Sequence, residues 1–314
     1  MNRRTFVRSS VALAATTLPA ALSAETSASP TPQFTLALTP GSIGVKVQTQ
    51  RELNELAHCH GFESVEPRAE ELAGMSDAEL QETLGDLKAK HLAWAAAGLP
   101  VDFRKDDATF RDGLAKLPRL AEGLQRAGAT RIGTWLSPSH DELTYRQNFD
   151  QHAARLREAA KILKDHGIRL GLEYVGTQLL LVKGRYPFLH TMAETRELIA
   201  AIGTGNVGHV LDTWHWWTAN DTEADLLALK NEDVVTVDLN DAPTGLEKRD
   251  QMDNQRELPA ATGIIPVSTF IGALIKIGYD GPIRPEPFNQ PLNAMENEPA
   301  CASTIAAMRK AVGA

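Results

Sequence analysis

From residue 34 onward, short apolar runs alternate with longer amphipathic stretches. Runs bounded by Gly, Pro or polar clusters read as buried strands, and apolar positions three and four apart read as helices. FTLALTP gives a first strand, and QRELNELAHCHG a helix stopped by Gly61. FESVEP is a second strand ending in Glu66. Ser76 to Lys90 is helical, with Ser76 as N-cap and Glu79 three residues on, a capping box. HLAWAAAG is a third, weaker strand. TFRDGLAKLPRLAEGLQRAG is helical, with Pro118 marking a break or a second helix start. ATRIGTWLSP is the fourth strand, and TYRQNFDQHAARLREAAKILKDHG a long helix stopped by Gly167. IRLGLEYVG, VGHVLDTWH, DVVTVDLND and GPIRPEPF are strands five to eight, with helices in MAETRELIAAIG, TEADLLALKN, VSTFIGALIKIG and ACASTIAAMRKAV. Eight strand-plus-helix units predict a parallel α/β sheet closed into a single-domain (β/α)8 TIM barrel over residues 34–314. The polar stretch from Ala242 to Gly263 is too long for a passive link and reads as an active-site loop or lid.

Four of the apolar runs close on an acid: Glu173, Asp212, Asp238 and Glu286. Carboxylates at the C-terminal ends of successive barrel strands are where such enzymes place a divalent metal and their acid/base groups. Strand alternation puts Gly171 with Glu173, Asp238 with Asn240, and Arg284 with Glu286 on shared faces. With the acids pointing inward, Arg284 lies one layer below Glu286 and is expected to hold it by a charge-assisted hydrogen bond. Several buried carboxylates need a cation, and oxygen donors favour a hard one such as Mn²⁺ or Mg²⁺.

The first residues carry a different pattern. NRRTFVR, then VALAATTLPAALSA, has the basic start, short apolar run and small-residue end of a signal peptide, too short to span a membrane. Adjacent Arg3 and Arg4 followed by Phe6 resemble the twin-arginine export signal. We expect a signal peptide at 1–24, a Ser/Thr/Pro linker at 25–33, and a periplasmic protein with no membrane contact once the signal is cleaved. Its removal takes Arg3, Arg4 and Arg8 and moves the net charge from −8 to −11. That sign disfavours nucleic acid and anionic membranes as partners, but not a small neutral substrate. Cys59 and Cys301 read as two free thiols, too few for a disulfide framework or a zinc finger.

LEYVG, LDTWH, VDLNDAP, RELPAATGIIP, GYDGP and EPF together resemble the xylose isomerase-like TIM-barrel superfamily of sugar isomerases and epimerases, over about residues 34–312. The resemblance implies one divalent metal held by Glu173, Asp212, Asp238 and Glu286. Mn²⁺ or Mg²⁺ leads, with Co²⁺, Zn²⁺ and Fe²⁺ as alternatives. It also implies that Glu173 and Glu286 are the acid/base pair on opposite faces of the substrate. The chemistry implied is proton abstraction beside a carbonyl, with the metal as Lewis acid and the proton returned by the second glutamate. Asp238 departs from the family, where His is common. AATG at 260–263 departs from a common Pro-Gly-Glu-Gly.

His215 matches the family's substrate-contacting His. Arg256 reads as a clamp on substrate oxygens or as a surface charge. Trp214, with Trp216 and Trp217, reads as an aromatic wall for a sugar ring or as packing. Glu66, His140 and Lys183 follow strand ends and read as rim positions, Lys183 being carried as a substrate-binding candidate. His58 and His60 lie away from that face. The expected activity is isomerisation or epimerisation of a free or oxidised sugar. A lyase or deglycosidase acting on 3-keto glycosides is the first alternative, and a non-catalytic periplasmic sugar-binding barrel the second. A DNA-repair endonuclease is disfavoured by the acidic charge. Oligomeric state is open, a homo-oligomer included.

Overall fold

The computed structural model describes residues 33–313, so the expected signal peptide and linker positions 25–32 lie outside the described residues. Within them the chain alternates strand and helix as its hydrophobic pattern predicts. The strands are β1 (Thr35–Leu38), β2 (Ser64–Val65), β3 (Ala93–Trp94 and Ala97–Gly98), β4 (Arg131–Trp135), β5 (Arg169–Glu173), β6 (Val207–Asp212), β7 (Val234–Leu239) and β8 (Pro282–Pro285). All pair in parallel, and β1 pairs with both β2 and β8. The strand read as weak is where the ring closes. Ala93–Trp94 pairs with β2, while Ala97–Gly98 pairs with β4. Ala-rich sequence has low strand preference, and Ala95–Ala96 interrupts the ladder between the two halves. The result is a (β/α)8 TIM barrel of one domain.

The barrel interior is packed up to the layer of the acids. A side chain on Gly171 would lie 2.7 Å from Val210 Cγ2 and 3.0 Å from Val235 Cβ, so the space beneath Glu173 is already filled. Helices form where the spacing predicts, and the Ser76/Glu79 capping box is present. Pro118 does not break its helix, which runs unbroken from Asp107 to Ala127. Pro118 faces solvent while Phe110, Leu117, Ala121 and Leu124 face the core. Water can satisfy the carbonyl left without a partner, and the buried stripe holds the axis. Cys59 is exposed, Cys301 is buried, and both are free.

Two departures from the sequence reading lie at the C-terminal end of the barrel, next to one loop that behaves as its length predicts. TWHWWT is a short helix, Thr213–Thr218, begun by Asp212. Ser139–His140 pairs antiparallel with Tyr186–Pro187, a two-stranded cover built from the loops after β4 and β5. The 242–263 stretch is pinned at its base by Asp241. That buried carboxylate accepts from the N–H groups of Ala242 (2.8 Å) and Ile265 (3.0 Å) with Oδ1, and of Thr262 (2.9 Å) and Gly263 (2.7 Å) with Oδ2. Asp241 and Glu257 also exchange two backbone hydrogen bonds. The loop is therefore held in place at the barrel mouth and is not a slack link.

Candidate active site

Strand register brings the acids together. Asp212 on β6 pairs with Asp238 on β7, and Asp238 pairs with Arg284 on β8. Glu173 pairs with Trp135 on β4. Glu286 follows β8 by one residue and is still tied to β7, its N–H donating to Leu239 O at 2.9 Å. Oxygen atoms of Glu173, Asp212, Asp238 and Glu286 all lie within 4.8 Å of one another. Asp212 and Asp238 are fully buried at the floor, while Glu173 and Glu286 face a cavity of about 460 Å³. That size suits a small-molecule site.

Two arginines compensate this charge. Arg284 donates to Asp238 Oδ1 from Nε (2.7 Å) and to Oδ2 from Nη2 (2.5 Å), a two-point fork. The expected Arg284 bond to Glu286 is not made. Asp238 is Arg284's direct neighbour across the strands, whereas Glu286 stands a layer higher. Arg256, from the 242–263 loop, takes that place. Its Nη1 donates to Asp212 Oδ2 (2.8 Å) and Glu286 Oε2 (3.1 Å), and its Nη2 to Asp253 Oδ1 (2.8 Å). Arg256 is thus a buried member of the cluster and not a surface charge.

Burial, reinforced by Glu286, Asp212 and Asp238, pushes the Glu173 carboxyl well above its ordinary range. Burial and Asp238 do the same to Glu286. Burial also works against charge on Asp212, but Arg256, His215, the Asn240 amide and the Trp214 N–H outweigh it and hold Asp212 low. Asp238 is raised by burial, opposed chiefly by Arg284. Two glutamates raised by burial beside an aspartate held low are carboxyls pushed apart in the way acid/base chemistry needs.

Four carboxylates against two guanidiniums leave a formal charge of −2 on this cluster. Glu173 Oε1 is buried and has no hydrogen-bond partner. A divalent cation would neutralise the first and satisfy the second, so the residues present fit one.

His215 is buried beside the cluster. The Gly176 N–H donates to its Nδ1 at 3.2 Å, and Arg256 Nη2 faces its Nε2 at the same distance. Nε2 lies 3.8 Å from Glu173 Oε1 and 3.7 Å from Asp253 Oδ1, in the cavity wall. Burial lowers its pKa, opposed by the nearby Asp212 carboxylate. The approach requires glycine at 176, where a Cβ would meet His215 O at 2.4 Å.

Lys183 sits exposed at the cavity rim, as expected of a rim residue. Trp214 does not reach the cavity. The 213–218 helix turns its indole into the core, where it is fully buried and lies 5.3 Å beneath the Arg256 guanidinium. Trp216 is buried as well, bonded to Thr222 O. The aromatic wall is instead Trp135, half exposed, and Phe288, which faces the Arg256 guanidinium at 4.7 Å. Phe288 takes φ +38°, a strained backbone at the site. Asp253 was also missed, although it lines the cavity and bonds Arg256. So was Asn240, whose Nδ2 donates to both oxygens of Asp212 at 3.1 Å. Asn240 had a signal: it shares a face with Asp238.

Residues 55–311 match the xylose isomerase-like TIM barrel family, and the chain belongs to it. A curated relative, an inosose isomerase of Bacillus velezensis, is 22% identical over 243 residues, 74% of this chain and 81% of its own. The structure of a xylose isomerase domain protein from Alicyclobacillus acidocaldarius is 32% identical, with a TM-score of 0.76 over 88% of this chain and 98% of that one. The structure of the IolI protein with a bound zinc atom shares the fold at 17% identity, with a TM-score of 0.73 over 89% and 98% of the two chains.

Proposed function

We propose that this protein is a sugar isomerase or epimerase that uses one divalent cation and moves a proton at the carbon beside a carbonyl. The carrying observation is that Glu173 and Glu286 face one cavity above Asp212 and Asp238, with an unpartnered buried oxygen on Glu173. The inosose isomerase relative and the sugar-processing family support the reaction class. Glu173, Asp212, Asp238 and Glu286 would hold the cation, Mn²⁺ or Mg²⁺ best fitting all-oxygen ligation. When bound, the cation supplies Lewis-acid stabilisation of the oxyanion that forms on proton loss.

The rest is done by this chain's own residues. Glu173 and Glu286, both raised by burial, take and return the proton from their two sides of the cavity. Asp212, held ionised by Arg256 and Asn240, keeps the floor negative. The guanidinium of Arg256 is a donor for substrate oxygens, and His215 lines the same wall of the cavity. Trp135 and Phe288 cover the ring and exclude water.

A second reading, a lyase or deglycosidase on 3-keto glycosides, is favoured by the apolar half of the cavity. Val175, Leu180, Trp135 and Phe288 there leave room for an aglycone beyond the sugar. The proposed address is the periplasm, on the strength of the 1–24 signal.

The test is metal content of the purified protein, wild type and Glu286→Gln side by side. One equivalent in wild type, lost or strongly reduced in the variant, is expected. No metal in either after reconstitution with Mn²⁺ contradicts the reading and favours a binding barrel.

A further inference from the structure

Resting on the divalent-cation site just proposed, we infer that Arg284 is a positioning residue which makes Asp238 serve that site as an electrically neutral oxygen ligand. Asp238 and Arg284 are direct neighbours in the β7–β8 register, with side chains on the same barrel-facing side. Both oxygens of Asp238 accept from the one guanidinium, at 2.7 and 2.5 Å. Among the described residues, Arg284 donates to no other carboxylate.

Two consequences follow from that fork. First, the carboxylate cannot rotate, so it cannot swing to chelate an ion with both oxygens. Each oxygen keeps one lone pair, and Asp238 can offer the cluster a single fixed donor. Second, the pair carries no net charge. The cluster's formal charge of −2 then comes from Glu173, Asp212 and Glu286 against Arg256. Arg284 does not line the cavity. Lysine could supply the charge but not the planar two-point grip.

The inference predicts that cation affinity follows the summed charge and not the presence of an anion at 238. Counting the same groups, Asp238→Asn leaves −1, Arg284→Gln leaves −3, and the double variant returns to −2 with an amide oxygen still in place. Mn²⁺ binding to the purified full-length protein is measured by calorimetry, with unfolding followed in chelator for each form. D238N should weaken the Mn²⁺ Kd by about tenfold or more, and R284Q should tighten it to a similar degree. The double variant should lie within about threefold of wild type, since the two changes interact as a pair.

A role confined to scaffolding would lower Tm in R284Q and leave all four Mn²⁺ constants alike, which overturns the inference. A double variant as weak as D238N also overturns it, because Asp238 would then act as an independent anion. Single variants leave one buried charge unpaired and can fail to fold. The double variant leaves none, and its comparison with wild type decides the question alone. Wild type that binds no Mn²⁺ removes the cation site itself, and with it the metal in the proposed function. Binding in wild type with an unchanged variant series removes only the role of Arg284.

Discussion

Arg256 donates from Nη1 to Asp212 Oδ2 at 2.8 Å, and both side chains are buried. One partner stands at the end of a barrel strand and the other on the long loop after β7. The ion pair therefore ties the cover to the floor. The same guanidinium reaches Glu286 and Asp253 and lies between the Trp214 and Phe288 rings. Replacing Arg256 with Met keeps the bulk and leaves Asp212 without its main counter-charge. Loss of one partner of a buried pair costs about 3–5 kcal/mol. We expect a clear fall in Tm without metal, and a loss of activity that Lys restores only in part. Thermal unfolding and turnover of both variants check this.

Asp241 accepts four backbone N–H groups at the base of the same loop. Asn at 241 would set an amide donor against two of them. The expected cost is roughly 1–3 kcal/mol, concentrated in the loop. Limited proteolysis should cut within 242–263 faster in D241N than in wild type, and KM should rise more than kcat falls. Unchanged proteolysis would separate Asp241 from loop order.

Trp135 is 48% exposed in the wall of the cavity, next to Glu173 in register, with Arg104 stacked on it at 4.3 Å. Removal of the ring by Ala should raise KM about tenfold or more, while Phe should retain most of the affinity. Trp214→Phe, a change inside the core, should act on stability instead. Steady-state kinetics and unfolding of the two variants distinguish the positions.

His190 and Glu194 form a half-buried pair at 3.2 Å, away from the cluster. Glu194 raises His190 above its ordinary 6.5. Burial pushes Glu194 up, but His190 and neighbouring N–H and hydroxyl groups outweigh it and bring it from 4.5 to about 2. The histidine's share of stability is full below pH 6.5 and fades as pH rises through its folded value. The glutamate's share is full above 4.5 and fades as pH falls toward 2. The Tm difference between wild type and Glu194→Gln should therefore be largest between pH 4.5 and 6.5 and shrink above it. A difference that is flat with pH would contradict this.

Much of the site was legible because it follows a local rule. Glu173, Asp212, Asp238 and Glu286 each close an apolar run, and a barrel gathers strand ends without further information. The eight strands and their order were legible for the same reason. What was not legible depends on register and on loop paths. Trp135 is a site residue because β4 lies beside β5, and Asp253 because the loop folds back over the mouth. WHWW left Trp214 open between wall and packing, and the short helix at Thr213–Thr218 decides for packing by turning it inward. Arg284 was placed on the correct face and given the wrong partner, since face follows alternation whereas partner follows register.

The central claim is that Glu173 and Glu286 exchange a proton with the carbon beside a substrate carbonyl. Deuterium uptake from ²H₂O into that carbon tests it most directly, by NMR, with an inosose and D-fructose as probes and Mn²⁺ present. The account predicts uptake with wild type for at least one probe, falling by about 10²-fold or more in Glu173→Gln and in Glu286→Gln. Uptake that survives in both variants, or that wild type fails to catalyse with either probe, would contradict it.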